Sequence, residues 1–458
     1  MTAATPRRAV LAAALAAATA AGVPASAAGE PAPPPPVGAG GAPGGPRPTG
    51  VDHRFWYDRA RLAAGEHRGT RVATVAGRPG IVIDRAVGRA PYTDPHTGRA
   101  ETWEHAVWTS PAHRTDVAAT ELVASWNAEV PAGSWLTVEL RPTYRDGVEG
   151  PWWTLGHWAE EDADIRRTSV DGQGDDRAAV STDTLAVKDP AGPHRITHWR
   201  FRLTLRRRPG SAVTPVVRLV GAMASAVPNR FEVPASSPGK ARELAVPRHS
   251  QEVHRGRYPE YDNGGEAWCS PTSCTMVLEY WGRRPDPARL AWVRPEYDDP
   301  QVCDAARRTY DLAYGGCGNW SFNAAYLASH RGLAAVVARF DSLAAAETLI
   351  AAGIPLITSQ SFLAEELTGA GYGTAGHLMA LVGFTADGDP VLNDPHAPTN
   401  PAVRRVYRRH EWETVWLRTK RRNAAGKTVS GGGGIAYVCV PDRPAPSQLR
   451  ALRAVGLL

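Results

Sequence analysis

The stretch "ITHWRFRLTLRRR", Ile196 to Arg208, constrains the fold more than any other. Trp199, Phe201, Leu203 and Leu205 alternate with Arg200, Arg202 and Thr204. A helix would scatter these apolar residues round its circumference. A strand puts them all on one face, so the pattern reads as a half-buried antiparallel strand. "SWLTVELRPTY" repeats the period, with Leu136, Val138 and Leu140 set against Trp135, Thr137 and Glu139. Turn signals "RDG", "DGQGDD" and "KDPAGP" separate further short strands. Residues 51–230 therefore read as an all-β sandwich, jelly-roll-like in type.

What precedes and follows has a different character. Arg7 and Arg8, the apolar run "AVLAAALAAATAAGV" and the small residues Ala25-Ser26-Ala27 read as a signal peptide over 1–27. The paired arginines leave twin-arginine export open beside the general route. Residues 28–50, almost all Pro, Gly and Ala, read as a linker. A second linker is expected over 231–244, a mixed helix-and-strand domain over 245–445, and a C-terminal tail over 446–458. Export places the five cysteines in an oxidising compartment. The formal charge of +6 comes from arginines spread along the chain, with no basic block interleaved with aromatics, so nucleic-acid binding is not indicated. After signal removal no membrane partner is expected.

Trp56, Trp103, Trp108, Trp126, Trp152, Trp153 and Trp158 crowd the sandwich. Tryptophans fill sandwich cores, and exposed ones stack on sugars. A carbohydrate partner at this domain requires two or more of them exposed on one face.

The chemistry-bearing stretch is "GEAWCSPTSCTMVLEYWG", Gly265 to Gly282. Ser270 and Pro271 suit a helix N-cap and first turn. Met276, Val277, Tyr280 and Trp281 recur at helical spacing, and Gly282 suits the stop. Cys269 then stands at a helix N-terminus, where free N–H groups and the helix dipole favour a thiolate. Cys274, a turn further in, reads as a buried thiol. Downstream, "GHLMALVGFTADGDPVLNDP" reads as a hairpin turning at Asp387-Gly388. His377 opens its first strand and Asp394 closes its second. This register sets Asp394 across from Leu381, on the face of His377 but some four residues from it, a gap for a bulge or twist to close. Asn393 points to the opposite face. Thiol, imidazole and carboxylate in these places suit a nucleophile, its base and the base's orienter.

The motifs "VPRHSQ", "WCSPTSCTMVLEYWG", "AGHLMALVGF" and "VLNDP", in that order, resemble the papain-like cysteine peptidases. Within them the chain is similar to the C39-like peptidase domain, in the branch found as secreted bacterial proteins. The resemblance spans 245–440. It implies an α+β papain-like C-terminal domain and hydrolysis of a peptide or isopeptide bond. It also implies that Gln251 donates its side-chain amide to the oxyanion. The pattern departs from many members in having Ser270 where they have Gly after the nucleophile.

Two other readings of function stand beside it: a catalytically inactive wall- or carbohydrate-binding protein, and a peptidoglycan amidase or endopeptidase. Cys303 and Cys317 are spaced for a disulfide in an exported protein. Trp320, in "GGCGNWSFN", is a candidate cleft residue. Cys274 and Cys439 pair or stay as buried thiols. His396 is an alternative orienter to Asp394. No Cys/His spacing matches a metal site, and no cofactor is implied.

Overall fold

The computed structural model describes residues 50–458. The signal peptide and nearly all of the first linker lie outside the described residues. Residues Val51 to Ser225 form two seven-stranded antiparallel sheets. The strand Ile196–Arg207 lies within one, between Ser134–Tyr144 and Ala100–Thr109. Leu203 and Leu205 sit opposite Val138 and Leu136, and all four are fully buried, as the alternation requires. Between the sheets Trp56 packs edge-on to Trp108 and Trp199, with ring centroids 6.1 and 5.5 Å apart. Such pairs contribute about 0.5–1.5 kcal/mol each beyond their buried area. Of the tryptophans named above, only Trp152 is more than marginally accessible, and it lies half-buried beneath the Arg202 guanidinium. The exposed pair that sugar stacking requires is not present among the described residues.

The second half carries a third seven-stranded sheet with helices against it. Its edge strand, Leu333–Arg339, faces the sandwich. An open edge has unpaired N–H and C=O groups. Here side chains of the sandwich strand Glu121–Glu129 fill them. Asn127 donates to the Ala335 carbonyl at 2.6 Å and accepts from its N–H at 3.1 Å, and Ser125 Oγ accepts from Val337 N–H at 3.0 Å. This explains two polar residues in the middle of a strand that are 0% and 2% exposed.

Helix ends are shared in the same way. Asp183 of the sandwich accepts from Trp320 N–H at 2.5 Å, at the start of the helix Trp320–Ser329. Buried Arg167 donates to the carbonyls of Arg308 (2.8 Å) and Arg307 (3.2 Å), at the end of the helix Pro300–Thr309. A carboxylate at a helix N-terminus and a cation at a C-terminus both suit the dipole. Phe322 enters between Trp126 and Trp158, at 6.0 and 5.4 Å. It fits because residue 156 is glycine; a Cβ there would stand 2.6 Å from the ring. The two domains thus share one continuous apolar core.

Several expectations are corrected here. The segment 231–244 is strapped down and is no loose linker. Arg409 donates to Ser236 and Ser237, Gly239 N–H donates to Glu347, and Arg242–Glu243 adds a short strand beside Gly383 and Phe384. The C-terminal tail is the helix Pro446–Ala454, whose Ala451 and Leu452, with Val455 and Leu457 beyond, are buried in the core. Trp320 lies at the domain junction, packed on the shared core.

Candidate active site

The helix that carries the thiol spans Cys269–Tyr280. It starts two residues earlier than Ser270 and Pro271 suggest, with Trp268 as N-cap and no side-chain cap. The physical reason lies just upstream. Gly265–Ala267 already forms a 3₁₀ turn that runs into the helix, and Ser270 is buried, its hydroxyl 3.1 Å from that of Tyr437. Cys269 is consequently the first helical residue, with its thiol partly exposed. The helix is buried all round from Ser270 to Leu278, where a single apolar face was expected. Gly282, with φ +67°, closes it as expected; its N–H reaches the Glu279 carbonyl and Arg283 N–H reaches that of Leu278.

The hairpin consists of Thr374–Phe384 and Pro390–Asn393. Its geometry narrows the four-residue gap to two, by one residue at each of two steps. The turn pairs Phe384 with Pro390, one residue off the symmetric count about Asp387-Gly388. A bulge between Leu381 and Gly383 shifts the register once more, so Asn393 lies opposite Ala380. Asp394 therefore comes beside Met379, two positions from His377 and on its face. Asn393 does point the other way, donating to the Val246 and Pro247 carbonyls.

The result is a chain of contacts. Asp394 Oδ1 lies 2.9 Å from His377 Nε2, and both residues are buried, at 0% and 5% exposure. His377 also hydrogen-bonds the Cys269 thiol. With Nε2 taken by Asp394, Nδ1 is the nitrogen left for sulfur. Burial alone would strip the imidazole of its proton. The neighbouring Cys269 and Asp394 outweigh that and raise His377 to about 10. Burial likewise opposes the Asp394 charge, but hydrogen bonds from His377 and Tyr407 and the His396 N–H lower it to about 2.

A second Cys–His contact shows what the carboxylate adds. Cys303 Sγ lies 3.6 Å from His254 Nδ1, both buried. No carboxylate hydrogen-bonds that imidazole among the described residues. Burial lowers His254 to about 4 and pushes Cys303 up to about 12, so this pair is neutral. Cys303 and Cys317 are not joined, which corrects the expected disulfide. Cys317 Sγ turns to the Ala306 carbonyl at 3.4 Å, and no two cysteines are joined in a disulfide among the described residues. Burial raises the thiols of Cys274, Cys317 and Cys439 as well.

Gln251 is buried, and the 3₁₀ turn it leads into packs against the one before Cys269. Its amide nitrogen donates to the Glu266 carbonyl at 2.8 Å and makes a longer 3.3 Å contact with Glu252. His396 does not orient His377. Its ring pairs with Glu252 at 2.9 Å, and only its backbone N–H serves Asp394. Two residues absent from the sequence reading do bear on the site. Tyr407 and Tyr372 both donate to Asp394, from 2.7 and 3.0 Å. The only sequence signal for Tyr372 is its isolation in the glycine-rich loop "GAGYGTAGH"; Tyr407 has none. Among the described residues no group of His, Cys, Asp and Glu is placed to hold a metal ion.

Residues 52–225 match the profile of the Peptidase C39 N-terminal domain, and residues 243–424 that of the Peptidase_C39-like family. No curated protein matches the chain. A solved structure described as a C39-like peptidase from Bacillus anthracis aligns with 45% of this chain and 100% of its own, at 17% identity and a TM-score of 0.25. A structure of a carbohydrate-binding module of the β-sandwich superfamily aligns with 38% of this chain and 56% of its own, at 11% identity and a TM-score of 0.18. The chain thus carries, in consecutive order, a Peptidase C39 N-terminal domain and a domain of the Peptidase_C39-like family.

Proposed function

We propose that the protein is a secreted cysteine peptidase that hydrolyses a peptide or isopeptide bond, with Cys269 as nucleophile, His377 as acid and base, Asp394 as orienter and Gln251 as oxyanion donor. The observation that carries the reading is a thiol at a helix start bonded to an imidazole whose other nitrogen is held by a buried carboxylate. The Cys269 thiolate attacks the carbonyl carbon and the π electrons move to oxygen. His377 gives its proton to the departing amine as the C–N bond breaks, leaving a thioester. Water, deprotonated by His377, then attacks the thioester and returns the sulfur as thiolate. The same steps serve a protein amide or a cell-wall peptide, so the peptidoglycan reading differs in substrate alone. The buried tryptophans of the sandwich lend no support to a binding protein that stacks on sugars.

Gln251 has two amide protons. The Glu266 carbonyl takes one; the other has only the long contact to Glu252 and is the one an oxyanion would draw. Gln251→Ala is expected to leave the circular dichroism unchanged and to lower turnover of an amide substrate on the order of a hundredfold. Unchanged turnover would remove Gln251 from the mechanism.

Export is part of the proposal. The intact mass of protein recovered outside the cell is expected to correspond to a chain starting at Ala28. Released protein still bearing Met1 would refute processing at that site.

A further inference from the structure

We infer that Tyr407 and Tyr372 are positioning residues of this site, holding Asp394 as a fixed anion behind His377. The inference rests on the roles of Cys269, His377 and Asp394 proposed above. A carboxylate offers about four lone-pair positions. Asp394 has four donors for them. His377 Nε2 (2.9 Å) and His396 N–H (3.0 Å) serve Oδ1; Tyr407 (2.7 Å) and Tyr372 (3.0 Å) serve Oδ2, with Tyr372 also 3.2 Å from Oδ1. Neither hydroxyl has another hydrogen-bond partner among the described residues.

The arrangement has a mechanical and an electrostatic consequence. The torsion that turns a carboxylate about its own axis is soft. Donors on both oxygens fix it, and so fix the plane in which the imidazole is held. Donors to the anion also keep the shared proton on His377, where it serves the thiolate and later the leaving amine. A carboxylate with one partner would do neither as well.

The two tyrosines come from different places. Tyr407 is 1% exposed and follows the strand Arg404–Val406, its own N–H on the Pro390 carbonyl. It is braced on the strand that leads to Asp394. Tyr372 is half-buried on an exposed loop, preceded by Gly371 at φ +76°. Its ring crosses His377 edge-on at 5.5 Å and lies 4.0 Å from His396, covering the pair from outside. The charged and titratable groups facing the carboxylate and its hydroxyls are Cys269, His377 and His396. One step out are Glu252, paired with His396, and Arg405, whose guanidinium holds the Gly369 carbonyl at the base of the loop.

The test measures Cys269 alkylation by iodoacetamide against pH in the full chain, with Tyr407→Phe, Tyr372→Phe and both together. Armed, the three groups carry one net negative charge, and the first proton they accept on acidification disarms them. A carboxylate short of a hydroxyl takes that proton more readily, and a buried imidazolium without its anion gives its own to the thiolate. The acid limb is therefore expected to move to higher pH, by about one unit in the double variant, a roughly tenfold loss of rate on that limb. The neutral plateau stays within about twofold. A merely structural loss would lower the plateau and the melting temperature and leave the limb in place. Should Tyr407→Phe fail to fold, Tyr372→Phe on the exposed loop carries the test alone. Limbs that superimpose on that of the unsubstituted protein overturn the tyrosine assignment. If the unsubstituted protein itself lacks low-pH reactivity, the Cys269–His377 reading fails first and this one with it.

Discussion

Cys269 is expected to alkylate with iodoacetamide at mildly acidic pH, and to be the one cysteine of the folded protein that does. An ordinary thiol, with a pKa of about 8.5, is about one part in a thousand thiolate at pH about 5.5. A thiolate that persists there starts with roughly a thousandfold advantage. It is also the weaker nucleophile, by a sensitivity of about 0.4–0.5 per unit of basicity, so part of the advantage is lost and a net gain of more than tenfold remains. His377 supplies the counter-charge. Its imidazolium persists to about 10, so the pair spans the range from the acid limb up to that value and is lost as pH rises through it. The helix end adds less, about 0.3–1 kcal/mol at ordinary exposure. His377→Ala is expected to cut the low-pH rate by more than tenfold. Asp394→Asn is expected to cut it less, because the tyrosine hydroxyls can turn to accept from an amide. The other four thiols are buried and raised by burial, so the stoichiometry is one label per chain. Labelling that starts only above about pH 8, or is identical in His377→Ala, would eliminate the ion pair.

The residues of this site were legible in the sequence to different depths. Alternation in "ITHWRFRLTLRRR" fixes the face of every residue, because a strand has only two. The same parity put Asp394 on the side of His377 and Asn393 on the other. It did not show how far along the strand Asp394 comes. That depends on a turn and a bulge each worth one residue of register, and a bulge at Val382-Gly383 has no side-chain signature. Ser270 and Pro271 misled by two residues because the chain enters the helix already turning. Spacing brought Cys303 and Cys317 into one small cluster, as the structure also does. Spacing carries no direction, and their sulfurs turn to His254 and to a carbonyl. The tyrosines on Asp394 were invisible, since what a long side chain reaches depends on the path of its loop. Likewise nothing in the sequence marks Ser125 and Asn127 for the role they take. Only the neighbouring sheet edge gives them a partner.

That edge leads to the second large effect. Residues 243–458 expressed alone are expected not to fold to an active state, and the full chain is expected to unfold in one cooperative transition. The peptidase half depends on the sandwich for both partners of Ala335, for the N–H of Val337, for the cap on Trp320 and for the cation at the end of Pro300–Thr309. Water replaces these bonds when the sandwich is removed, but it leaves an open strand edge that invites pairing with another chain. The apolar loss has no such replacement. Phe322 leaves its place between Trp126 and Trp158, and each large side chain re-exposed costs about 1.5–3 kcal/mol. A few such losses are comparable with the whole stability of a domain, about 5–15 kcal/mol. The helix that Phe322 belongs to also backs the helix Cys269–Tyr280, where the Cys274 thiol meets Asn323 at 3.5 Å. Damage at the junction is thus one helix away from Cys269. Point variants in the full chain separate this from a general intolerance to truncation. Phe322→Ala is expected to cost about 3–5 kcal/mol. Asn127→Leu leaves a buried donor and acceptor of Ala335 unpaired, at about 1–3 kcal/mol each. Both should lower the single calorimetric transition as a whole, because neither half can melt while the shared core holds. Two separate transitions, or an isolated 243–458 fragment that keeps the low-pH reactivity of Cys269, would show that the sandwich is a passenger and not part of the peptidase fold.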